Sequence, residues 1–579
     1  MGSKSTLYCF TYELHKHHIF LINLPFIKLI IQSLMTKNQE ANAKNKSLSS
    51  KIFSNFSSDS NILKAALFAT GLSGIVAEYV LSTLATYFLG NSVFQWTMIL
   101  SLMLFSMGLG SRLSKFMDEF LLEKFVIIEF ALSILVSLSA LLAYVVSIYS
   151  SFNDKLYIYS FELDGTVIYM MSMLIGLLIG MEIPLVTRLN EAYEDLRVNI
   201  SNVMEKDYYG SLLGGVFFAF IGLPFLGLTY TPFVLGAVNF LVAIGLLFQF
   251  RKLIDARYLF LIRSGALLVM AVIIGGFLFA DDIINYGEQK RYKDKVVYQD
   301  QSKYQKIVVT QWKNHHWLYL NGNQQLSTFD EWLYHEPMVH PAMKLYPGVK
   351  NVLILGGGDG CAAREVLKYP SVETIKLVDL DEKVTELASN HPIFTTLNNN
   401  ALNHEKVTVQ NGDAYTYLQK TDEYYDVIIV DFPDPKSIEI GRLFSLEFYK
   451  LCYQQLRPNG VVIVQSGSPY YASKAFYCIE KTVAEAGFNT VPLHNQVLTL
   501  GEWGWVLGAK SIPQEQLKPT LRSLHFEDIE TRWLTHDAMS LITSFGKGLI
   551  KLDSSEVEVN MIHNPVLPTY YRNGNWDLY

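Results

Sequence analysis

The stretch Asn351-Val-Leu-Ile-Leu355 runs directly into Gly356-Gly-Gly-Asp-Gly360, and a segment typical of a helix begins at Cys361. Glycines between a strand and a helix let the backbone approach a bound nucleoside closely. The spacing is G-x-G-x-G, which differs from the G-x-G-x-x-G of dinucleotide sites, and no lysine follows to form a P-loop. The stretch therefore predicts the first strand and the nucleoside-binding turn of an α/β domain.

Around this stretch, short strand-like runs alternate with amphipathic helical segments. The predicted strands are 351–355, 374–379, 406–410, 426–431, 460–465 and 488–493. Such alternation indicates a mainly parallel sheet with helices on both faces. We therefore predict a Rossmann-like, class I methyltransferase-like domain over 346–579. The period-two pattern in 296–328 predicts a small antiparallel β subdomain, which we place in 285–345.

The N-terminal half has a different composition. The chain is 50% hydrophobic and only 17% charged, and its mean hydropathy is +0.20, which is unusual for a wholly soluble protein. We predict an irregular extension over 1–61 and a multi-pass α-helical membrane domain over 62–280. Its seven apolar stretches, each near the ~20 residues that a bilayer requires, are 63–89, 93–111, 125–149, 167–187, 210–228, 230–250 and 258–280.

Basic residues follow alternate spans of this domain. They are Arg112, Lys115, Lys124, Arg188, Arg197, Lys206, Arg251, Lys252 and Arg257. By the positive-inside rule they place the N-terminus in the cytoplasm and, after seven spans, the C-terminal domain outside it. A cytosolic substrate requires the opposite orientation. Because we expect a cytosolic substrate, we place the C-terminal domain on the cytoplasmic side of the cell membrane. The distribution of basic residues indicates the opposite side.

Three carboxylates lie in or near the predicted spans: Glu78, Glu129 and Glu182. A charge in the middle of a bilayer is unfavourable, so such a residue commonly binds a cation or a proton, or is paired inside the bundle. Both interpretations stay open, and Glu78 is the most central of the three in the sequence. Glycines such as Gly210, Gly214 and Gly215 would let neighbouring helices pack closely.

Several carboxylates follow predicted strands of the C-terminal domain, at the edge where ligands bind in parallel sheets. Asp379 is placed to accept from ribose hydroxyls. Asp413 is placed to contact an adenine amino group or to cap the next helix. Asp431 and Asp434 follow the fourth strand, and Asp359 lies in the glycine turn. Clustered negative charge is unfavourable unless a cation binds. No histidine accompanies these residues in the sequence and their spacing is not that of a calcium loop, so we predict an amine and no metal.

Charge and cysteine content exclude other classes. The net charge is −7 and no basic run stands out, so we predict no nucleic-acid partner. The four cysteines show no CxxC spacing, which argues against a zinc site and a disulfide framework. His335-Glu336 and His340 lack the spacing of a zinc-protease helix. The pair Trp503 and Trp505 is equally compatible with a substrate wall and with a core strand.

Residues 296–510 resemble the spermidine synthase family. The matching motifs are Tyr304-Gln305, Asp330-Glu-Trp-Leu-Tyr334-His-Glu336, the glycine turn and Asp431-x-x-Asp434-Pro435. The whole chain resembles the bacterial membrane-fused form of that family. The resemblance implies transfer of an aminopropyl group from decarboxylated S-adenosylmethionine, as a co-substrate, to putrescine or a related amine. The products would be spermidine and methylthioadenosine. It implies no permanently bound cofactor and a homodimer or homotetramer.

The resemblance also assigns roles to individual residues. Asp431 would be the catalytic base, and Asp434, Asp359, Tyr334 and His335 would bind the amine. The residues that would bind the nucleoside co-substrate are Gln305, Gln325, Gly356, Gly358, Asp379 and Asp413. Phe432 stands where small hydroxyl residues are common in the family, which leaves the identity of the amine open.

Two other functions remain compatible with the sequence. The first is a methyltransferase that uses intact S-adenosylmethionine, although Asp359 would repel the carboxylate of that cofactor. The second is a membrane polyamine transporter or sensor whose C-terminal domain binds a polyamine without converting it. The lipid bilayer is a predicted partner of the helical half. Replacement of Asp431 by asparagine would separate enzyme from sensor.

Overall fold

The computed structural model describes residues 49–89, 92–152, 157–158, 161–547 and 556–576. Most of the predicted N-terminal extension lies outside these residues. Its last part, residues 49–61, is helical instead of irregular because the first helix begins at Ser49.

The N-terminal half consists of long helices. They are α1 (Ser49–Leu89), α2 (Ser92–Ser114), α3 (Leu121–Phe152), α4 (Leu163–Asn190), α5 (Leu196–Phe217), α6 (Gly227–Phe250) and α7 (Ala256–Arg291), with a π-helical turn at Phe218–Leu226 between α5 and α6 and a short β1–β2 pair (Tyr157–Ile158, Phe161–Glu162) before α4. In the described part of the chain, six helical runs are long and apolar enough to cross a membrane, and Leu196–Phe250 is one run of 55 residues.

This 55-residue run folds back on itself. As a straight helix it would be about 80 Å long, far more than a bilayer of ~30 Å. Glu194, which precedes it, pairs with Lys64 of α1, and Gln249 near its end donates to Asp59 of α1 at 2.6 Å. Both ends therefore lie beside the start of α1. The reversal occurs at Gly227, whose φ of +66° leaves the helical region. The bundle accordingly has seven legs, which agrees with the seven predicted stretches.

Small residues bring the legs of the bundle together. A Cβ at Gly210 would lie 2.1 Å from the Phe68 carbonyl oxygen, and one at Gly214 would lie 2.4 Å from the Leu72 carbonyl oxygen. These two glycines of α5 therefore permit backbone contact with α1, as predicted. A Cβ at Gly215 would meet only ordinary contacts with Tyr79 at 3.7 Å, so this position does not require glycine.

The C-terminal half begins with an antiparallel sheet of four strands in sequential order. The strands are β3 (Lys295–Gln301), β4 (Lys306–Trp312), β5 (His315–Leu320) and β6 (Asn323–Ser327). The sheet lies within the predicted subdomain. However, α7 continues to Arg291, so the first residues assigned to that subdomain belong to the last long helix.

The main sheet has seven strands in the order β12-β13-β11-β10-β7-β8-β9. Its strands are β7 (Asn351–Gly356), β8 (Thr374–Asp379), β9 (Val407–Asn411), β10 (Tyr425–Asp431), β11 (Leu456–Gly467), β12 (Asn489–Val497) and β13 (Gly501–Ala509). Strands β9, β8, β7, β10 and β11 are parallel. β13 was not predicted and runs antiparallel to β11 and β12. The α/β fold is therefore confirmed, with a mixed sheet.

Helices cover this sheet and extend into the C-terminal tail. They are α8 (Trp332–Lys344), α9 (Cys361–Leu367), α10 (Glu382–Asn390), α11 (Pro392–Leu397), α12 (Ala414–Lys420), α13 (Ile438–Gly441), α14 (Leu446–Gln455), α15 (Ser473–Glu485), α16 (Gln514–Arg522), α17 (His536–Ile542) and α18 (Leu567–Arg572).

The two halves meet at the end of α7. The Arg291 guanidinium lies 4.5 Å from the ring centre of Tyr87 at the end of α1, and Tyr292 packs on Tyr319 of β5 with ring centres 4.8 Å apart. The C-terminal half is thus attached to the bundle end where α1 terminates. The basic loops between α2 and α3, α4 and α5, and α6 and α7 lie at the opposite end.

Candidate active site

The glycine turn after β7 holds the backbone against two aspartates. Gly356 has a φ of +82°, and a Cβ there would lie 2.1 Å from the Asp431 carbonyl oxygen, so only glycine fits. The Gly358 amide donates to the Asp379 carboxylate at 3.1 Å, and a Cβ at Gly358 would lie 2.7 Å from that carboxylate. Burial raises the pKa of Asp379 to about 6. The predicted ribose-binding acid therefore lies directly beside the turn.

Asp431 lies at the end of β10, paired in register with Gly356 of the neighbouring strand β7. Burial of its carboxyl group, and the nearby charge of Asp359, raise its pKa to about 6. A carboxylate with this pKa is ionised at neutral pH and is a better proton acceptor than an ordinary aspartate.

Tyr334 of α8 holds this carboxylate in place. Its hydroxyl donates to Asp431 Oδ1 at 2.6 Å, and burial together with the charge of Asp431 raises the pKa of Tyr334, so the hydroxyl stays protonated. Behind it, the fully buried ring of Trp505 packs edge-on with a centroid distance of 5.4 Å. Trp505 is thus a core residue of β13 that supports Tyr334, and Trp503 is also buried in that strand.

His335 introduces a positive charge beside the aspartates. Its Nδ1 lies 2.9 Å from Glu331 Oε2, and Arg364 donates to both oxygens of Glu331 at 2.9 Å. Although burial lowers the pKa of His335, its hydrogen bond with Glu331 and the charge of Asp359 raise it to about 9. The imidazole is therefore protonated at neutral pH.

The fold corrects one observation from the sequence, that no histidine accompanies the aspartates. His335, Asp359 and Asp431 each place a ligand atom within 4.8 Å of the others, which is the donor set of a divalent metal site. A metal requires a neutral imidazole, however, and the pKa of His335 keeps it protonated. The arrangement therefore favours an ammonium group between the carboxylates, as predicted.

Asp434, the second aspartate of the motif, is held by residues that the sequence analysis did not identify. It accepts from Gln465 Nε2 at 2.9 Å and from the Tyr571 hydroxyl at 2.6 Å. Tyr571 lies in the tail helix α18, more than 130 residues further along the chain. None of the motifs that carried the family resemblance reaches this part of the chain, so no signal in the sequence analysis drew attention to Tyr571.

The two glutamines predicted at the nucleoside site lie in different surroundings. Gln305 donates to Asp381 at 2.9 Å, and Ser302 donates to the same carboxylate at 2.6 Å. This places Gln305 beside the end of β8, two residues from Asp379. Gln325 lines a small cavity together with Tyr334 and His335 of α8, the residues predicted to bind the amine, so its predicted contact with the nucleoside stays a prediction.

Asp413 caps a helix in this structure. Its Oδ1 accepts from the Thr416 amide and hydroxyl, both at 2.8 Å, while Oδ2 pairs with Arg442. A cleft of about 390 Å³ lies beside it and is lined by Lys376 and Tyr417, away from the aspartates of the glycine turn and β10. Capping is thus observed, and adenine contact stays a prediction.

Phe432 does not line the amine site. It is buried against Phe444 and Phe448 with ring centres 6.2 Å and 5.7 Å away. Its bulk therefore fills the core, and the doubt that it raised about the amine does not apply. His340 is also structural, because its two ring nitrogens contact Glu365 and Tyr369 at 2.9 Å and 3.0 Å.

The Asp330–Glu336 motif around α8 contains carboxylates that fix the helix in place and a tyrosine that contacts Asp431. Asp330 accepts from the Thr499 amide at 2.7 Å. Glu336 accepts from three consecutive backbone amides of the tail, those of Arg532, Trp533 and Leu534. These two carboxylates fix α8 between β12–β13 and the tail, and this orientation presents Tyr334 to Asp431.

Comparison with known proteins agrees with this geometry. The family model described as the spermine/spermidine synthase domain matches residues 331–517. Polyamine aminopropyltransferase of Leptospira interrogans is 36% identical over 500 residues, covering 86% of this chain and 95% of the relative. Polyamine aminopropyltransferase 2 of Aquifex aeolicus is 40% identical over 517 residues, covering 88% and 98%. The chain belongs to the polyamine aminopropyltransferase family.

Membership extends beyond the catalytic half, because an alignment of 500 residues must include much of the helical bundle. The chain is therefore an aminopropyltransferase, and its co-substrate is decarboxylated S-adenosylmethionine. The methyltransferase and the non-catalytic sensor are set aside. A crystal structure of spermidine synthase in complex with the transition-state analogue AdoDATO is 28% identical, with a TM-score of 0.40, and the match covers 44% of this chain and 86% of that chain.

Proposed function

We propose that this enzyme transfers the aminopropyl group to putrescine and forms spermidine, with Asp431 as the base. The observation that carries the proposal is the hydrogen bond of 2.6 Å from Tyr334 to Asp431, beside Asp359 and Asp434. This bond holds one oxygen of the Asp431 carboxylate, whose pKa is raised, and leaves the other oxygen for a substrate amine.

The neutral amine nitrogen attacks the carbon next to the sulfonium, a C–N bond forms, and the C–S bond breaks. Its electron pair returns to sulfur, so the leaving group is neutral methylthioadenosine. Asp431 accepts the proton that the amine must lose, because an ammonium has no lone pair. The sulfonium is already a good leaving group, so the remaining catalysis is proximity and alignment.

The charges around the base support the choice of substrates. Asp434, positioned by Gln465 and Tyr571, would anchor the distal ammonium of putrescine. Asp359 would attract the propylamine of the decarboxylated co-substrate and repel the carboxylate of the intact one. The protonated His335 limits the net negative charge before the amines arrive. Asp379 and Gln305 would hold the ribose end.

We further propose that the seven legs of the bundle span the cell membrane. The exposed apolar side chains along α2, α5 and α7 support this placement, among them Phe105, Leu212, Phe260 and Leu278, each at least 60% exposed. Such a surface is unfavourable in water and matches a lipid environment.

The test uses the full chain in detergent, supplied with putrescine and either decarboxylated or intact S-adenosylmethionine. We expect methylthioadenosine and spermidine only with the decarboxylated form. Asp431→Asn should lower kcat by about 1000-fold, the scale of general-base catalysis, while putrescine still binds. Asp422→Asn, on the exposed loop that precedes β10 and thus at the end of that strand away from Asp431, serves as the matched control. Full activity in Asp431→Asn would remove Asp431 from the mechanism, and consumption of another amine in preference to putrescine would replace the substrate.

A further inference from the structure

The helical bundle contains buried carboxylates that aminopropyl transfer does not use. Glu129 on α3 and Glu182 on α4 are both 0% exposed, whereas Glu78, the most central of the three in the sequence, is 8% exposed. The two fully buried carboxylates lie on α3 and α4, two legs that pack against each other. The structure thus directs attention to this pair and not to Glu78.

The pair lies at one depth in the bundle. Glu129 is eight residues after the start of α3 at Leu121, and Glu182 is eight residues before the end of α4 at Asn190. Because these helix ends lie at the same side of the bundle, both carboxylates are about 12 Å from it. The side concerned is the one that carries the basic loops.

These carboxylates lack the partners that buried charges require. Within the described residues, neither oxygen of Glu129 has a hydrogen-bond partner, and neither oxygen of Glu182 has one of good geometry. The Thr70 hydroxyl lies beside Glu182, and the charge of Asp207 on α5 also acts on it. Thr70 is 1% exposed and Asp207 is 9% exposed.

Polar groups continue from the pair across the bundle. Ser133, one turn after Glu129, donates to the Gly236 carbonyl of α6 at 2.7 Å. Asn239, one turn further along α6, donates to Ser73 of α1 at 2.8 Å, one turn from Thr70. The Asn239 Oδ1 is itself fully buried without a partner among the described residues. Five legs therefore contribute polar atoms to one layer.

No basic side chain in the described bundle balances this layer. The ion pairs found there join Lys64 to Glu194, Arg188 to Asp118 and Lys206 to Glu205, so none reaches Glu129 or Glu182. Two adjacent carboxylates in apolar surroundings cannot both be ionised without a compensating cation. The charge that the protein does not supply must therefore come from a bound cation.

We propose that Glu129 and Glu182, with Thr70 and Asp207, form a binding site for one monovalent inorganic cation, a proton or a sodium ion. A diamine does not fit, because neither glutamate has any surface that a water molecule can touch. A shared proton needs no added volume, and a sodium ion needs oxygen ligands of the kind that the carboxylates and the hydroxyl offer. This site is independent of the aminopropyl transfer site.

The test measures the melting temperature of the purified full chain in detergent. A cation that binds the folded protein stabilises it by mass action. In choline chloride, wild type should lose about 3–6 °C between about pH 6 and about pH 9, because the folded pair holds a proton that the unfolded chain releases. At the higher pH, sodium chloride should restore this loss if the site accepts sodium, and should not if it accepts only a proton.

The double variant Glu129→Gln/Glu182→Gln should show neither dependence, because two amides need no counter-cation. Glu119→Gln/Glu191→Gln, at two exposed positions of the basic-loop end, should behave as wild type. Spermidine formation by each variant reports on correct folding. Equal pH and sodium dependence in wild type and in the Glu129/Glu182 variant would overturn the proposal.

A second measurement covers the case in which the double variant does not fold. Infrared difference spectra between wild type and the single variants Glu129→Gln and Glu182→Gln detect the C=O stretch of a protonated carboxyl group, and no reagent has to reach the buried pair. In choline chloride, wild type should show this stretch, and at least one single variant should lose it. Sodium chloride should suppress the stretch for a sodium site and leave it unchanged for a proton site. Absence of the stretch from wild type in choline chloride would contradict the proposal.

Discussion

At the scale of single residues, the active site is organised around Asp431. Tyr334 orients it, burial and the charge of Asp359 raise its pKa, and the His335–Glu331–Arg364 chain of charges offsets the surrounding negative potential. None of these contacts is between sequence neighbours of Asp431. The reactivity of this carboxylate is therefore a property of its environment, since an aspartate alone has an ordinary pKa.

We predict that Tyr571→Phe weakens amine binding and leaves chemistry nearly intact. The hydroxyl of Tyr571 donates to Asp434, for which we propose binding of the distal ammonium and no role as the base. Its loss should raise KM for putrescine about tenfold, the value of one hydrogen bond to a charged group, with little change in kcat. Steady-state kinetics with varied putrescine test this. Tyr570→Phe, which loses only a long contact of 3.4 Å, is the control, and an equal effect in both would contradict the assignment.

A second prediction concerns His335 and stability. Its pKa is about 9 in the folded protein and 6.5 for an unperturbed histidine. A raised pKa stabilises the folded state fully below pH 6.5, and this contribution is lost as pH rises through about 9. The difference in melting temperature between wild type and His335→Gln should therefore shrink over this window.

The full contribution is at most about 3 kcal/mol, from 1.36 kcal/mol for each pKa unit. The comparison with His335→Gln removes the pH dependence of other groups, because they are common to both proteins. His525→Gln, at an exposed histidine, should track wild type at every pH. A constant difference between wild type and His335→Gln would show that His335 is neutral in the folded protein.

At the scale of secondary-structure elements, the ends of strands and the starts of helices position the side chains predicted to bind the substrates. The carboxyl ends of β7, β8, β9 and β10 lie along one edge of the sheet, and the predicted site residues follow each of them. Asp330 and Glu336 attach helix α8 to this site through hydrogen bonds with Thr499 and with the tail. Its orientation depends on β13 and the tail, neither of which the strand pattern predicted.

Asp413→Ser separates the two roles considered for Asp413. Serine is as good an N-cap as aspartate, so α12 should keep its stability to within about 0.5 kcal/mol. If Asp413 also contacts the adenine, KM for decarboxylated S-adenosylmethionine should rise about tenfold or more, and we expect this rise. Asp413→Ala should instead lose about 1 kcal/mol of stability as well. An unchanged KM in the serine variant would restrict Asp413 to capping.

At the scale of the whole molecule, the folded-back α5–α6 run fixes the arrangement of the two halves. Seven legs place the catalytic half at the end of the bundle away from the basic loops. The positive-inside rule then puts it outside the cytoplasm, while the cytosolic origin expected for its substrates requires the cytoplasm. The two expectations are opposed, and one labelling experiment decides between them.

We predict that cysteines at Phe225 and Asp422 are labelled from the same side of the membrane, and a cysteine at Lys252 from the opposite side. All three positions are exposed, and the described native cysteines are buried. A membrane-impermeant maleimide applied to intact cells and to inverted vesicles reports the side of each. Labelling of positions 225 and 252 from one side would contradict the folded-back run. The side of position 422 assigns the catalytic half to the cytoplasm or to the exterior.

The sequence by itself determined the features that depend on local pattern. The apolar stretches, the alternation of strands and helices, and the glycine turn with its following acids all follow from periodicity and spacing. They were sufficient to predict the α/β fold, the seven helical legs and the carboxylates of the site. In the main sheet, the one strand missed, β13, contains the Trp503-Gly-Trp505 segment that was equally compatible with a substrate wall.

Only the tertiary structure decided which of these groups have partners. Tyr571, Glu331 and Arg364 reach the site from distant segments, and Phe432 turns into the core although it follows Asp431 directly. The same holds in the bundle, where Glu129 and Glu182, on neighbouring legs, are buried without a hydrogen-bond partner of good geometry among the described residues. Burial and proximity set pKa values and charge balance, and both are properties of the folded chain that no local pattern contains.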